Sequence, residues 1–307
     1  MFSTRPSRSH LRRKQSIWHA ALTVAVLWVG VHSQHAYGSA APSVSSDHAP
    51  SKLEKQVQVW VSRLAEQKPF RHWPAADSQI EALGPGTHGW LVLFTKEGKH
   101  IGYMVVHAVT DGTFQLGEYG LGPFPLFSQQ LLVRSLIDGG LATETQLRSI
   151  TAVKHYVHPF AAAWEVKVGG ETYWLDAKTA EQLPVNVDSW KKMFPGDLNL
   201  ATDADNPEES GIEALQLNET FDVYEKLPWL TQEAPFPAKN AKLLQQRLDG
   251  ANHLRYVTEP FGDAMLYAVS IIGYQRWSNG RLDVAMDMEG TRFVPIEALL
   301  NKGLFYR

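Results

Sequence analysis

Three carboxylates stand where carboxylates are uncommon. Glu118 and Glu165 fall inside apolar stretches, and Asp176 closes one. A carboxyl group buried in a cleft has a raised pKa and can serve as a general acid. The same group on the wet face of a sheet is an ordinary solvated side chain. The sequence leaves both readings open. Histidines form a second set. His155 and His158 are three apart in a stretch that reads as a strand. Side chains alternate along a strand, so a regular one sends these two to opposite faces and away from a shared metal. His100 and His107, seven apart, separate in the same way, with His88 on the same group of segments. No H-E-x-x-H pattern is present to bind zinc.

Other matches are weaker in chemistry. Asp197, Asn199, Asp203 and Asp205 make an oxygen-rich stretch, but Pro207 and Glu208 break the alternation of ligands that a calcium loop requires. It reads as a solvated acidic loop. Residues 84–89 spell Gly-Pro-Gly-Thr-His-Gly, a G-x-G-x-x-G match. A dinucleotide site needs a strand before the match and a helix N-terminus after it. Here a β-like segment follows, and the Pro has no N–H to offer, so the match reads as a turn. The chain has no Cys, which removes thiolate nucleophiles, disulfides and Cys-ligated metals. There is no G-x-S-x-G elbow and no phosphate-binding G-x-x-x-x-G-K-[ST] loop. No catalytic residue, metal or cofactor is assigned at this level. A Ser–His–Asp set or a carboxylate pair assembled only by the fold stays open.

The elements that would position these residues begin with 88–122. Apolar runs there are separated by Glu97-Gly98 and Asp111-Gly112, pairs that supply the positive φ angles of tight hairpins, so the segment reads as a three-stranded meander. Trp90, Tyr103, Phe114, Tyr119, Phe124 and Phe127 cluster on it. They are core, or else an apolar surface for a partner or for stacking on glycan. Before the meander, Leu53, Val57, Trp60, Val61 and Leu64 repeat at helical spacing over 52–67, and a short helix is expected around 75–83. After it, 128–136 reads as a helix capped by Ser128, with a further helical turn at 143–149. Strands are expected at 152–157, 162–168 and 171–176, the last two joined by Gly169-Gly170. Residues 188–209 read as a loop and a boundary. Helices are expected at 211–224 and 237–248, then a second meander over 266–296 and a helix over 295–301.

At the start of the chain, Arg5, Arg8, Arg12, Arg13 and Lys14 precede an apolar run of 15 residues at 17–31, followed by small residues at 36–41. This is the pattern of a secretory signal, read as cleaved or as a retained anchor. Residues 41–51, rich in Ser, Pro and Ala, read as a flexible tether. The formal net charge is −3, and the first 40 residues hold five cations and no acid, which leaves −8 on the remainder. That balance argues against a nucleic-acid partner. At 44% apolar and 20% charged, a chain of 307 residues can bury a core without disulfides.

Two stretches carry a resemblance. Residues 143–184 include Trp164-Glu165-Val166, Tyr173-Trp174-Leu175-Asp176-Ala177 and Lys178-Thr179. They resemble the secreted bacterial PepSY-type module, a helix followed by a hairpin and a final strand ending in an Asp-Ala-Lys-Thr-Gly-like turn. Ala180 stands where that family has Gly. The resemblance implies binding or restraint of peptidases or other surface partners. Residues 266–293, with Gly273-Tyr274, are similar to the second half of papain-like peptidases, with Tyr267 about where that family's His would stand and no Cys anywhere. The chain as a whole resembles secreted proteins of Gram-positive, spore-forming bacteria.

The expected fold is α+β, antiparallel meanders packed with helices, in one or two lobes. The expected domains are 1–40 (signal or anchor), 41–51 (tether), 52–200 (meander and PepSY-like segment) and 201–307 (helices and the second meander). The expected function is non-catalytic binding of an envelope or secreted protein, with a membrane touched only through the N-terminal segment. The alternative is an extracytoplasmic hydrolase with a Ser/His/Asp or paired-carboxylate site.

Overall fold

The computed structural model describes residues 51–85, 87–194, 210–300 and 302–307, all within the compact unit Ala40–Arg307. The expected signal or anchor segment, the expected tether up to residue 50, and Asp197, Asn199, Asp203 and Asp205 of the expected acidic loop lie outside the described residues.

Helix α1 (Lys52–Ala65) opens the fold, with a capping box in which Ser51 and Glu54 satisfy each other's backbone N–H. Strands β1 (Asp77–Ala82), β2 (Gly89–Lys96), β3 (Lys99–Ala108) and β4 (Phe114–Leu121) follow. Helix α2 (Gln129–Asp138), capped by Ser128, leads to β5 (Thr151–His158), β6 (Ala161–Val168), β7 (Glu171–Asp176) and α3 (Val187–Met193). The second half holds β8 (Ile212–Leu217), α4 (Ala241–Asp249), β9 (Leu254–Thr258), β10 (Tyr267–Trp277), β11 (Leu282–Asp287), β12 (Thr291–Pro295), α5 (Ile296–Leu300) and β13 (Gly303–Tyr306). It is an α+β fold built on antiparallel sheets.

Both expected meanders form, and they are parts of one sheet. Its order is β1-β2-β3-β4-β12-β11-β10-β9-β13, with β8 also paired to β10. The boundary expected near residue 200 therefore does not divide the sheet, because β4 pairs with β12. Strands β5, β6 and β7 form a separate three-stranded sheet.

Covering both faces explains the nearly continuous apolar character of the central strands. Val92, Phe94, Met104 and Val106 pack under α1 with Trp60, Leu64 and Trp73. Their neighbours Leu91, Leu93, Tyr103 and Val105 face α2 and the small sheet. In the second half Val269, Val284 and Val294 meet Leu244 and Leu248 of α4. Tyr103, Tyr119 and Phe127 are core residues, whereas Trp90 and Phe114 are half-buried and meet edge-to-face at 5.6 Å.

Three expectations are corrected. The segment expected to be helical at 75–83 is strand β1, paired with β2 along its whole length. The helix expected at 211–224 is strand β8 followed by a 3-10 turn, Val223–Glu225. The loop expected from 188 begins as α3, because Asn186 and Ser189 form a reciprocal cap.

Candidate functional site

Glu118 occupies the seam where β4 meets β12. Only two residue pairs join those strands, Arg292 with Gly120 and Phe293 with Tyr119. The backbones come close there: a Cβ on Gly120 would run into the Tyr103 ring, and one on Gly290, at φ +108°, into the Leu121 carbonyl. Charged side chains pin the seam on both faces. On the side of the small sheet, Arg292 donates from Nε and Nη2 to the two Glu118 oxygens at 3.1 and 2.6 Å. Tyr103 and Tyr156 hydroxyls donate to the same carboxylate at 2.9 and 3.3 Å. Burial, then the neighbouring Glu118 charge, holds both hydroxyls well above the ordinary phenol range, so they remain donors.

On the side of α1, Arg281 donates to Asp283 at 2.8 Å and to the Leu116 and Gly117 carbonyls of β4 at 2.5 and 2.8 Å. Tyr119 and Trp277 complete the shell of Asp283 at 2.9 and 2.7 Å.

Glu118 and Asp283 are 0% exposed. Each is occupied by an arginine and two further donors, and neither faces a cleft. A general acid must reach its substrate, and these groups reach only their partners. The wet-face reading of Glu118 is likewise corrected.

Asp176 is also enclosed. Its Oδ1 accepts the backbone N–H groups of Lys178 and Thr179, both at 2.7 Å, and its Oδ2 accepts Tyr267 at 2.7 Å. The carboxylate thus closes the turn after β7, where Ala180 takes the left-handed backbone at φ +59°. Lys178 donates to the Phe124 and Glu289 carbonyls at 2.6 and 3.1 Å. Burial, reinforced by Arg292, pushes its pKa down to about 7. Glu165 pairs with His155 at 2.9 Å and Lys167 at 3.7 Å, on the partly open face of the small sheet.

The histidines do not converge. His158 donates from Nε2 to the Ala298 carbonyl at 2.5 Å and accepts the Phe160 N–H on Nδ1 at 3.2 Å, the pattern of a neutral ring. Burial pushes its pKa down to about 4. His107 is buried in the core beneath β4, and burial, then Arg281, pushes it down to about 3. His100 meets Thr95 at 3.2 Å. Among the described residues, no group of three or more His, Asp or Glu side chains could hold a metal ion. The G-x-G-x-x-G stretch connects β1 to β2 and no helix follows it; a Cβ on Gly84 would meet the Lys154 carbonyl.

The open surface features lie elsewhere, around the segment between β8 and α4. Tyr224, Leu227 and Leu230 are 60%, 38% and 68% exposed. Trp229 links them to the sheet, with ring centroids 6.4 Å from Tyr224 and 6.5 Å from Tyr306. Leu304, 50% exposed, lies two residues from Tyr306 on the same face of edge strand β13. Beside this apolar face are two clefts of about 400 Å³ each, meeting at Ala251, Asn252 and His253. One is lined by 217–221, with Asn218 and Thr220 among its polar residues. The other is lined by Lys226, Glu233, Arg247, Arg255 and Arg307.

Neither the exposed trio nor the arginines stood out in the sequence. The one available signal was Leu227-Pro228-Trp229-Leu230, large apolar residues in a stretch too broken by Pro to bury them all. No helix among the described residues is long and apolar enough to cross a membrane. No family model matches the chain, and no curated protein matches it.

Proposed function

We propose that this chain is a secreted or membrane-tethered bacterial protein that binds or restrains an envelope or extracellular protein and performs no catalysis. The observation that carries the reading is the exposed face formed by Tyr224, Leu227 and Leu230 beside Trp229 and Leu304. Large apolar groups grouped at a surface favour association, because covering them releases water at about 25 cal/mol per Å². The basic and apolar N-terminal segment and the PepSY-like stretch support an extracytoplasmic partner. A hydrolase would have to work without Glu118 and Asp176, whose oxygens are committed inside the fold.

The test is retention of envelope proteins on immobilised residues 41–307, wild type beside a Tyr224→Ser, Leu230→Ser double variant. Both positions are exposed, so the variant should fold normally. One protein held by the wild type and lost from the variant is the expected result. Equal retention by the two would overturn the assignment of the face. Turnover of a hydrolase substrate by the wild type would overturn the non-catalytic reading.

A further inference from the structure

Among the described residues, three arginines are almost completely enclosed: Arg255, Arg281 and Arg292, at 1, 2 and 1% exposure. Two of them are neutralised. Asp283 lies 2.8 Å from Arg281, and Glu118 lies 2.6 Å from Arg292. Arg255 has no such partner. Among the described residues no carboxylate comes within 4.0 Å of it, nor of Arg247, Arg307 or Lys226. Its Nε donates to the Val223 carbonyl at 2.9 Å, while its Nη2 has no hydrogen-bond partner. Enclosing a guanidinium with no carboxylate in contact is costly, and buried arginines are ordinarily paired.

The position of this unpaired cation is as informative as its isolation. Arg255 lines the second cleft together with Arg247, Arg307 and Lys226. The arginines are held in place. The Arg255 guanidinium lies 4.9 Å from the Phe221 ring, which stacks at 4.0 Å on His253. Arg247 is anchored through Nε and Nη2 to the His253 carbonyl at 3.1 and 2.7 Å. Arg247 and Arg307 both sit over the ring of Phe236, at 6.0 and 5.6 Å. Burial, then the Arg307 and Arg255 charges, lowers the Arg247 pKa from its ordinary value, as expected where like charges converge. One carboxylate, Glu233, lines the cleft, and Asp222 and Glu225 act on Arg255 from farther away. Four cations against Glu233 on the lining and Asp222 and Glu225 farther off still leave an excess of positive charge that an anion would satisfy.

We propose that the cleft between Lys226, Arg247, Arg255 and Arg307 binds a phosphate-class oxyanion, either free phosphate or the phosphoryl group of a larger ligand. Guanidinium forks match the oxygen geometry of phosphate, and charge-assisted bonds of this kind are the strong ones. The inference goes beyond the protein-partner reading and does not depend on it, since the cleft and the apolar face are altered by different substitutions.

The test is calorimetric titration of the purified chain with inorganic phosphate at low ionic strength, with sodium chloride of equal ionic strength as the control. Saturable binding is expected, weakening as salt is raised. Arg307→Ala, at an exposed position, should weaken it about tenfold, in line with loss of one charge-assisted contact. Arg255→Met, whose folding is checked by circular dichroism, should abolish it. Glycerol phosphate titrated in parallel separates the sources. Binding as tight as that of inorganic phosphate assigns the site to a phosphoryl group on a larger ligand, and binding of inorganic phosphate alone assigns it to the free ion. No saturable heat with either, or equal affinity in Arg307→Ala and a folded Arg255→Met, would overturn the proposal.

Discussion

Glu118 and Arg292 lie 174 positions apart and meet through two hydrogen bonds. That distance sets the limit of what sequence could reveal at this scale. A carboxylate inside an apolar strand is visible as an oddity, but the partner that makes it structural is not. The same holds for Arg255, whose missing partner has no trace in the chain order. The pair makes a direct prediction. Glu118→Ala strands a buried guanidinium and two tyrosine hydroxyls and should lower unfolding free energy by about 3–5 kcal/mol. Adding Arg292→Met to that variant should recover part of the loss, because the unpaired charge goes with it. Urea unfolding of the two variants measures this. A single-variant loss below about 1 kcal/mol would mean that the pair does not hold the seam.

At the level of elements, the turn chemistry was readable and the edges were not. Glu97-Gly98, Gly169-Gly170 and Glu289-Gly290 take positive φ at both residues, which suits the twist of a tight hairpin. At Asp111-Gly112 and Asn279-Gly280 only the Gly does. Glu97 is thus a side chain in a backbone state better suited to Asn. Glu97→Asn should stabilise the protein by about 0.5–1 kcal/mol, seen as a higher midpoint in thermal unfolding. A lower midpoint would contradict this assignment of the turn. The sequence of β1 reads as a helix because its single large apolar residue, Ile80, shows no alternation, and Asp77 and Ser78 mimic a helix cap. Its strand state comes from pairing with β2. In β8, Ile212, Ala214, Leu215 and Leu217 fit helical spacing as well as a strand, and pairing with β10 decides between them. The merging of both meanders into one sheet rests on two residue pairs and side-chain pins, which no local pattern encodes.

For the whole molecule, the enclosed bases set the response to pH. His107 and His158 have folded pKa values near 3 and 4. An unfolded His titrates near 6.5. Below that value the unfolded chain takes up protons that the folded one refuses, so their contribution is complete above about pH 6.5 and is lost as pH falls toward the folded values. Each contributes a slope of about 1.4 kcal/mol per pH unit in that window. Lys178, near 7 when folded against an ordinary 10.5, acts in the same direction at higher pH, adding stability between those two values. Stability should therefore rise from pH 4.5 to 8, and His107→Gln should flatten the acid limb, as followed by denaturant titration at several pH values. A profile that is flat between pH 4.5 and 6.5 would show that these histidines are not enclosed.

The central claim concerns the apolar face beside β13, and amide hydrogen exchange of the chain, free and in the presence of whichever envelope protein the retention experiment identifies, addresses it most directly. The account expects slowed exchange in 222–231 and 303–306, with the first meander at 88–122 unchanged. Protection confined to the first meander or the small sheet, with 222–231 exchanging as in the free chain, would contradict it.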